Sequence, residues 1–120
     1  MASLLVHITH GPEAPSRAAL GMLVARTALS EGHDVTVFLA GDAVQLIRDA
    51  TLDAAQGVGT GSLREHYDAI VSEGGRFYVS RMSAGARGVT ESDIEGKPVQ
   101  WGTPSDLVRV TFENDRVLTY

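Results

Sequence analysis

The 120-residue chain contains no cysteine. That absence excludes disulfides, thiolate metal ligands and any thiol nucleophile of its own. Lysine is nearly absent too, with Lys97 standing alone, and 15 acidic residues outnumber 10 basic ones for a net charge of −5. Nucleic acid is therefore not an expected partner, because phosphate backbones are held by clustered Lys and Arg. Long hydrophobic runs are missing as well. The longest, Ala18 to Leu29, is broken by Gly21, Arg26 and Thr27, so no membrane span is expected. Met1 to Thr9 has neither a basic start nor a small-residue cleavage pattern. Together with the missing thiols this fits a soluble protein of the reducing cytoplasm. The four histidines, His7, His10, His33 and His66, never stand four apart on a helix, so no metal is expected. The glycine run Gly57 to Gly61 (GVGTG) lacks both a phosphate-loop lysine and the full G-x-G-x-x-G pattern. It reads as a flexible linker, and no cofactor is expected.

What is present is an ordinary globular balance, 43% hydrophobic and 21% charged, in a length suited to one domain over residues 1–120. Ser3 to Thr9 is a near-continuous apolar run, as in a strand covered on both faces. Pro15 suits the first turn of a helix and Gly32 its end. That helix is apolar on almost every side, which points to a subunit contact beyond what one sheet face covers. Asp34 to Ala40 reads as the second strand and Asp42 to Asp49 as a short helix, with looser chain from Thr51 to Gly61. Ser62 and Glu65 have capping-box spacing before a helix marked by Leu63, Tyr67, Ile70 and Val71. Arg76 to Ser80 is the third strand, followed by a short helix closed at Gly88 and a surface loop from Thr90 to Pro98. Val99 to Trp101 makes a fourth strand, Thr103 caps a last helix with Pro104 at its first position, and Arg116 to Tyr120 ends as an outer strand. The alternation predicts an α/β fold: three layers, with a mostly parallel five-stranded sheet and helices on both faces. Strand order is not readable from the sequence.

In an open parallel sheet, ligands bind beyond the carboxyl ends of the strands. That rule selects His10 and Gly11, Gly41 and Asp42, Ser80 and Arg81, and Thr103 as candidate ligand-binding residues. Ser80 stands where the third strand meets a helix start, and Arg81 adds a permanent cation, so a small anion could be held there. Alternatively, Ser80 simply caps that helix. His10, Asp42 and Ser80 could also compose a hydrolase set, although no G-x-S-x-G elbow surrounds Ser80. His7 reads as a hydrogen-bonded core residue, and Tyr78 and Trp101 as core or interface aromatics.

Three segments carry a family resemblance: LLVHITHGPEAPSRAALGMLVARTALSEGHDVTVFLAGDAV, GGRFYVSRMSAGARGV and GTPSDLVRVTFENDRVLTY. They resemble the DsrE/DsrF-like (DsrEFH-like) family of small sulfur-relay and related proteins. The resemblance implies a parallel α/β sheet, assembly into homo-oligomers (trimers or hexamers) and, in the relay members, a persulfide-carrying cysteine. That cysteine would fall at Ser80, and a serine hydroxyl cannot hold a sulfane sulfur. The expected function is therefore a non-catalytic, homo-oligomeric protein that binds a small anionic ligand or a protein partner at the carboxyl edge. The alternatives are a hydrolase using Ser80, His10 and Asp42, or a structural subunit of a relay complex whose partner supplies the cysteine.

Overall fold

A computed structural model describes residues 1–120. Strand β1 (Ser3–Ile8) leads into helix α1 (Pro15–Ser30) and strand β2 (Asp34–Leu39). A 3₁₀ turn over Gly41–Ile47, helix α2 (Asp49–Ala54) and a small hairpin of β3 (Gln56–Gly57) with β4 (Gly61–Ser62) follow. Helix α3 (Leu63–Ser72), strand β5 (Arg76–Ser80), helix α4 (Arg81–Arg87) and helix α5 (Glu91–Ile94) come next. Strand β6 (Val99–Gly102), helix α6 (Pro104–Glu113) and strand β7 (Arg116–Thr119) complete the order.

The main sheet runs β6-β5-β2-β1-β7 and every pairing in it is parallel. From β1 the chain steps to β2, β5 and β6 in one direction across the sheet. Right-handed connections therefore put α1, α3 and α4 on one face. Ala18, Met22, Ile70 and Ala84 from those helices meet Val6, Ile8, Val37 and Phe77 in a single core of 22 buried residues. The connection from β6 to β7 runs back across the sheet and lays α6 on the other face. There Val110 packs on Leu5 and Phe38 in a core of only three buried residues. One ten-residue helix is thin cover for five strands, and its far side shows the cost: Phe112 is 86% exposed and Val108 57%.

Four expectations need correction. The helix foreseen over Asp42 to Asp49 is a 3₁₀ turn that brings in Ala43, Val44, Leu46 and Ile47, and the α-helix starts only at Asp49. The stretch read as a flexible linker is folded: Val58 N–H donates to Ser16 Oγ at 3.0 Å, and the buried His66 ring holds Thr60 O through Nε2 at 2.5 Å. The loop after Gly88 contains α5, formed because a Thr90–Asp93 capping box closes its start and Ile94 is buried beneath it. At Ser62 only half of the foreseen box forms, with the Glu65 amide donating to Ser62 Oγ at 3.3 Å.

Helix α1 finds much of its cover inside the chain. Ala18, Ala19, Gly21, Met22 and Ala25 are buried, with α3 and the β3–β4 hairpin packed alongside. Its small residues permit this close approach: a Cβ at Gly21 would come within 2.9 Å of Ile8 Cδ1.

Candidate functional site

Chain direction selects one place on the sheet. Adjacent strands β5 and β6 send their following helices, α4 and α6, to opposite faces, which makes the place where Ser80 and Gly102 stand side by side a topological switch point. Ligands of open α/β sheets favour such switch points. Gly102 is required there, since a Cβ would approach Phe38 Cζ to 2.8 Å.

The expected residues at this edge are held mostly by neighbours outside the expected set. Ser80 is buried and its Oγ accepts from Ser83 N–H at 3.2 Å, so it caps α4. Ser83 Oγ in turn accepts from Gly41 N–H at 2.9 Å. Gly41 has φ of +57°, in the left-handed region that favours glycine. Gly11 lies so close to Asp42 that a Cβ would sit 2.1 Å from the Asp42 carbonyl oxygen. Asp42 pairs with Arg87 Nε at 2.9 Å. Arg81 turns outward, 3.1 Å from Glu91 Oε1 and 4.6 Å above the Trp101 ring, and Trp101 Nε1 donates to the same carboxylate oxygen at 2.9 Å. Thr103 forms a capping box with Asp106, whose carboxyl is held below its usual range by the Thr103 amide and hydroxyl.

His10 belongs to a different neighbourhood. Its Nδ1 lies 3.0 Å from Glu13 Oε2, while its Nε2 faces Arg17 Nη1 at 3.4 Å. The His10 ring thus stands between a carboxylate and a guanidinium. The second Glu13 oxygen accepts from Gly11 N–H at 2.7 Å. No hydrogen bond joins His10, Asp42 and Ser80. A hydroxyl already engaged as a helix cap, an aspartate held by Arg87 and an imidazole facing Arg17 do not constitute an activated nucleophile.

The open space at this edge lies beside β1 and β7. A cleft of about 860 Å³ is lined by Thr9, His10, Ser16, Arg17, Thr60 and Tyr120, among others. Ser80 and Arg81 lie outside it. Arg17 and Thr60 escaped the sequence reading. Arg17 could have been found, since it follows His10 by seven residues within the first turn of a helix starting at Pro15. Thr60 reaches the cleft only through the fold of the hairpin.

His7 departs from expectation. It is half-buried, its Nε2 is buried without a hydrogen-bond partner, and its ring meets Phe38 edge-on at 5.9 Å. Burial lowers its pKa.

The DsrE/DsrF-like family model matches residues 2–120. The chain belongs to the DsrE/DsrF-like family. Solved structures agree in fold. The YchN protein of E. coli superposes with a TM-score of 0.83 at 19% identity, covering 100% of both chains. MTH1491 of Methanobacterium thermoautotrophicum, a protein of unknown function, gives 0.75 at 16% identity, again covering 100% of both. BT1422 of Bacteroides thetaiotaomicron, also of unknown function, gives 0.71 at 13%, covering 99% of this chain and 95% of its own. No functionally curated protein matches. This DsrE-like chain thus shares a three-layer fold with proteins whose sequences have diverged widely, and it carries serine at position 80. No helix is long and apolar enough to cross a membrane.

Proposed function

We propose that this protein is a non-catalytic, homo-oligomeric DsrE-like protein that takes a small anionic ligand at the carboxyl edge of its sheet, without persulfide transfer. One observation carries the reading: a cleft of about 860 Å³ at that edge is flanked by Arg17, a permanent cation with no carboxylate partner, and by His10. Arg17 can present its remaining N–H groups to a carboxylate, phosphate or sulfur oxyanion. Thr9, Ser16 and Thr60 lie around the same space. The ligand is thereby displaced from Ser80, whose polar atom is occupied, towards β1 and β7. A sequence free of cysteine supports binding over sulfur transfer and suits a reducing cytoplasm.

Isothermal titration with inorganic phosphate and with sulfite, for the native protein and for Arg17→Gln, tests the reading. Saturable binding weakened at least tenfold by the substitution is expected. Equal heats from both proteins would refute it.

Assembly is argued from the thin layer. Val108 and Phe112 on α6 and Val117 on β7 are exposed apolar groups beside a strand edge with no neighbour. Such a surface favours covering by another chain. A second copy is the occupant proposed.

A further inference from the structure

At the opposite end of the sheet, the amino edge, a second cleft of about 750 Å³ opens between α6 and the starts of β5 and β6. Three cations line it, but two are committed. Lys97 Nζ donates to Asp93 O at 2.7 Å and pairs with Asp49 at 3.2 Å, while Arg109 pairs with Glu113 and Asp106. Arg76 has no carboxylate partner. Its Nη2 leans on the hydroxyl of buried Thr36 at 3.4 Å, which fixes the guanidinium at the rim. Among the acids, Glu113 is taken by Arg109, and Asp34 has no cationic partner. The cleft therefore keeps one free positive and one free negative group.

Their placement follows from register. Thr36 pairs with Arg76 across β2 and β5, and Asp34 lies two residues before Thr36. All three side chains project from the same face, because residues two apart in a strand do so. Arg76 and Asp34 do not come within 4 Å of each other in an ion pair, so a molecule placed between them can satisfy both. The half-buried Tyr78 ring, stacked on Phe38 at 5.7 Å, and Pro98 supply apolar wall. The volume suits a small molecule.

We propose that this amino-edge cleft binds a zwitterionic amino acid with an apolar side chain: carboxylate on Arg76, ammonium on Asp34, side chain against Tyr78 and Pro98. Arginine pairs well with a carboxylate, and a polyanion such as a phosphorylated metabolite is repelled by Asp34. The site is separate from the Arg17 cleft and does not rest on it.

The probe is L-phenylalanine, titrated into the ¹⁵N-labelled protein and followed by amide shifts. Shifts are expected at Arg76, Tyr78 and Gln100, with at least tenfold weaker binding by 3-phenylpropionate, which lacks the ammonium, and by 2-phenylethylamine, which lacks the carboxylate. Arg76→Gln and Asp34→Asn should each weaken L-phenylalanine at least tenfold while the remaining resonances stay in place. The proposal is overturned by no shift at this edge, by shifts confined to the residues around His10 and Arg17, by either one-charge analogue binding as tightly, or by both variants binding as the native protein does.

Discussion

The Gly41 amide donates to Ser83 Oγ at 2.9 Å, tying the exit of β2 to the first turn of α4. The Ser83 amide reaches back to Ser80 Oγ, so a single serine joins two strand ends. Ser83→Ala leaves the Gly41 N–H without its partner, and a lost hydrogen bond of this kind costs about 1–2 kcal/mol. Urea unfolding at constant slope should reveal that loss. An unchanged midpoint would mean that water replaces the hydroxyl freely.

Gly11 makes a stronger demand. A methyl there would meet the Asp42 carbonyl, a backbone group that cannot rotate away, so the loops after β1 and β2 would have to part. Gly11→Ala should destabilise by about 3 kcal/mol, the upper end for overpacking. Thermal unfolding checks this, and a native melting temperature would refute the close approach.

Much of this architecture was legible locally. The apolar runs of β1, β2 and β5 and the Pro15 start of α1 announce themselves through composition and periodicity. Thr103 and Pro104 do the same for α6, and the apolar run from Arg76 ends at Ser80 as the strand does. The hairpin around Gly59 and helix α5 were not legible, because part of what fixes them comes only with the fold: Ser16 accepting from Val58 across 42 residues, and the burial of Ile94. The site was half legible. The strand-end rule found His10, Gly11, Gly41, Asp42 and Ser80, but not that their polar groups are taken up by Glu13, Ser83 and Arg87. The outward turn of Arg81 depends on Glu91 and Trp101, ten and twenty residues away.

His7 supplies a pH dependence. Its folded-state pKa lies below the ordinary histidine value of 6.5 because burial disfavours the charged ring. The unfolded chain then binds more protons, so stability rises with pH between the folded and unfolded values and falls as the pH drops below about 6.5. Removing the ionisation with His7→Phe should flatten this part of the profile. Denaturation of both proteins from pH 5 to 8 decides, and parallel profiles would contradict the assignment.

Phe112 tests assembly. At 86% exposure it contributes little to the packing of a single chain. Phe112→Glu should leave the fold intact and shift the light-scattering mass from oligomer to monomer. A native protein that is already monomeric at working concentration, or a variant that remains oligomeric, would remove α6 as the interface.

The most direct test of the binding account is electron density at the carboxyl edge in crystals of the native protein and of Arg17→Gln, each soaked in sulfite. The account expects an anion within hydrogen-bond distance of the Arg17 guanidinium and beside the His10 ring, absent from the variant. An empty cleft in the native crystals, or the same density in both, would contradict it.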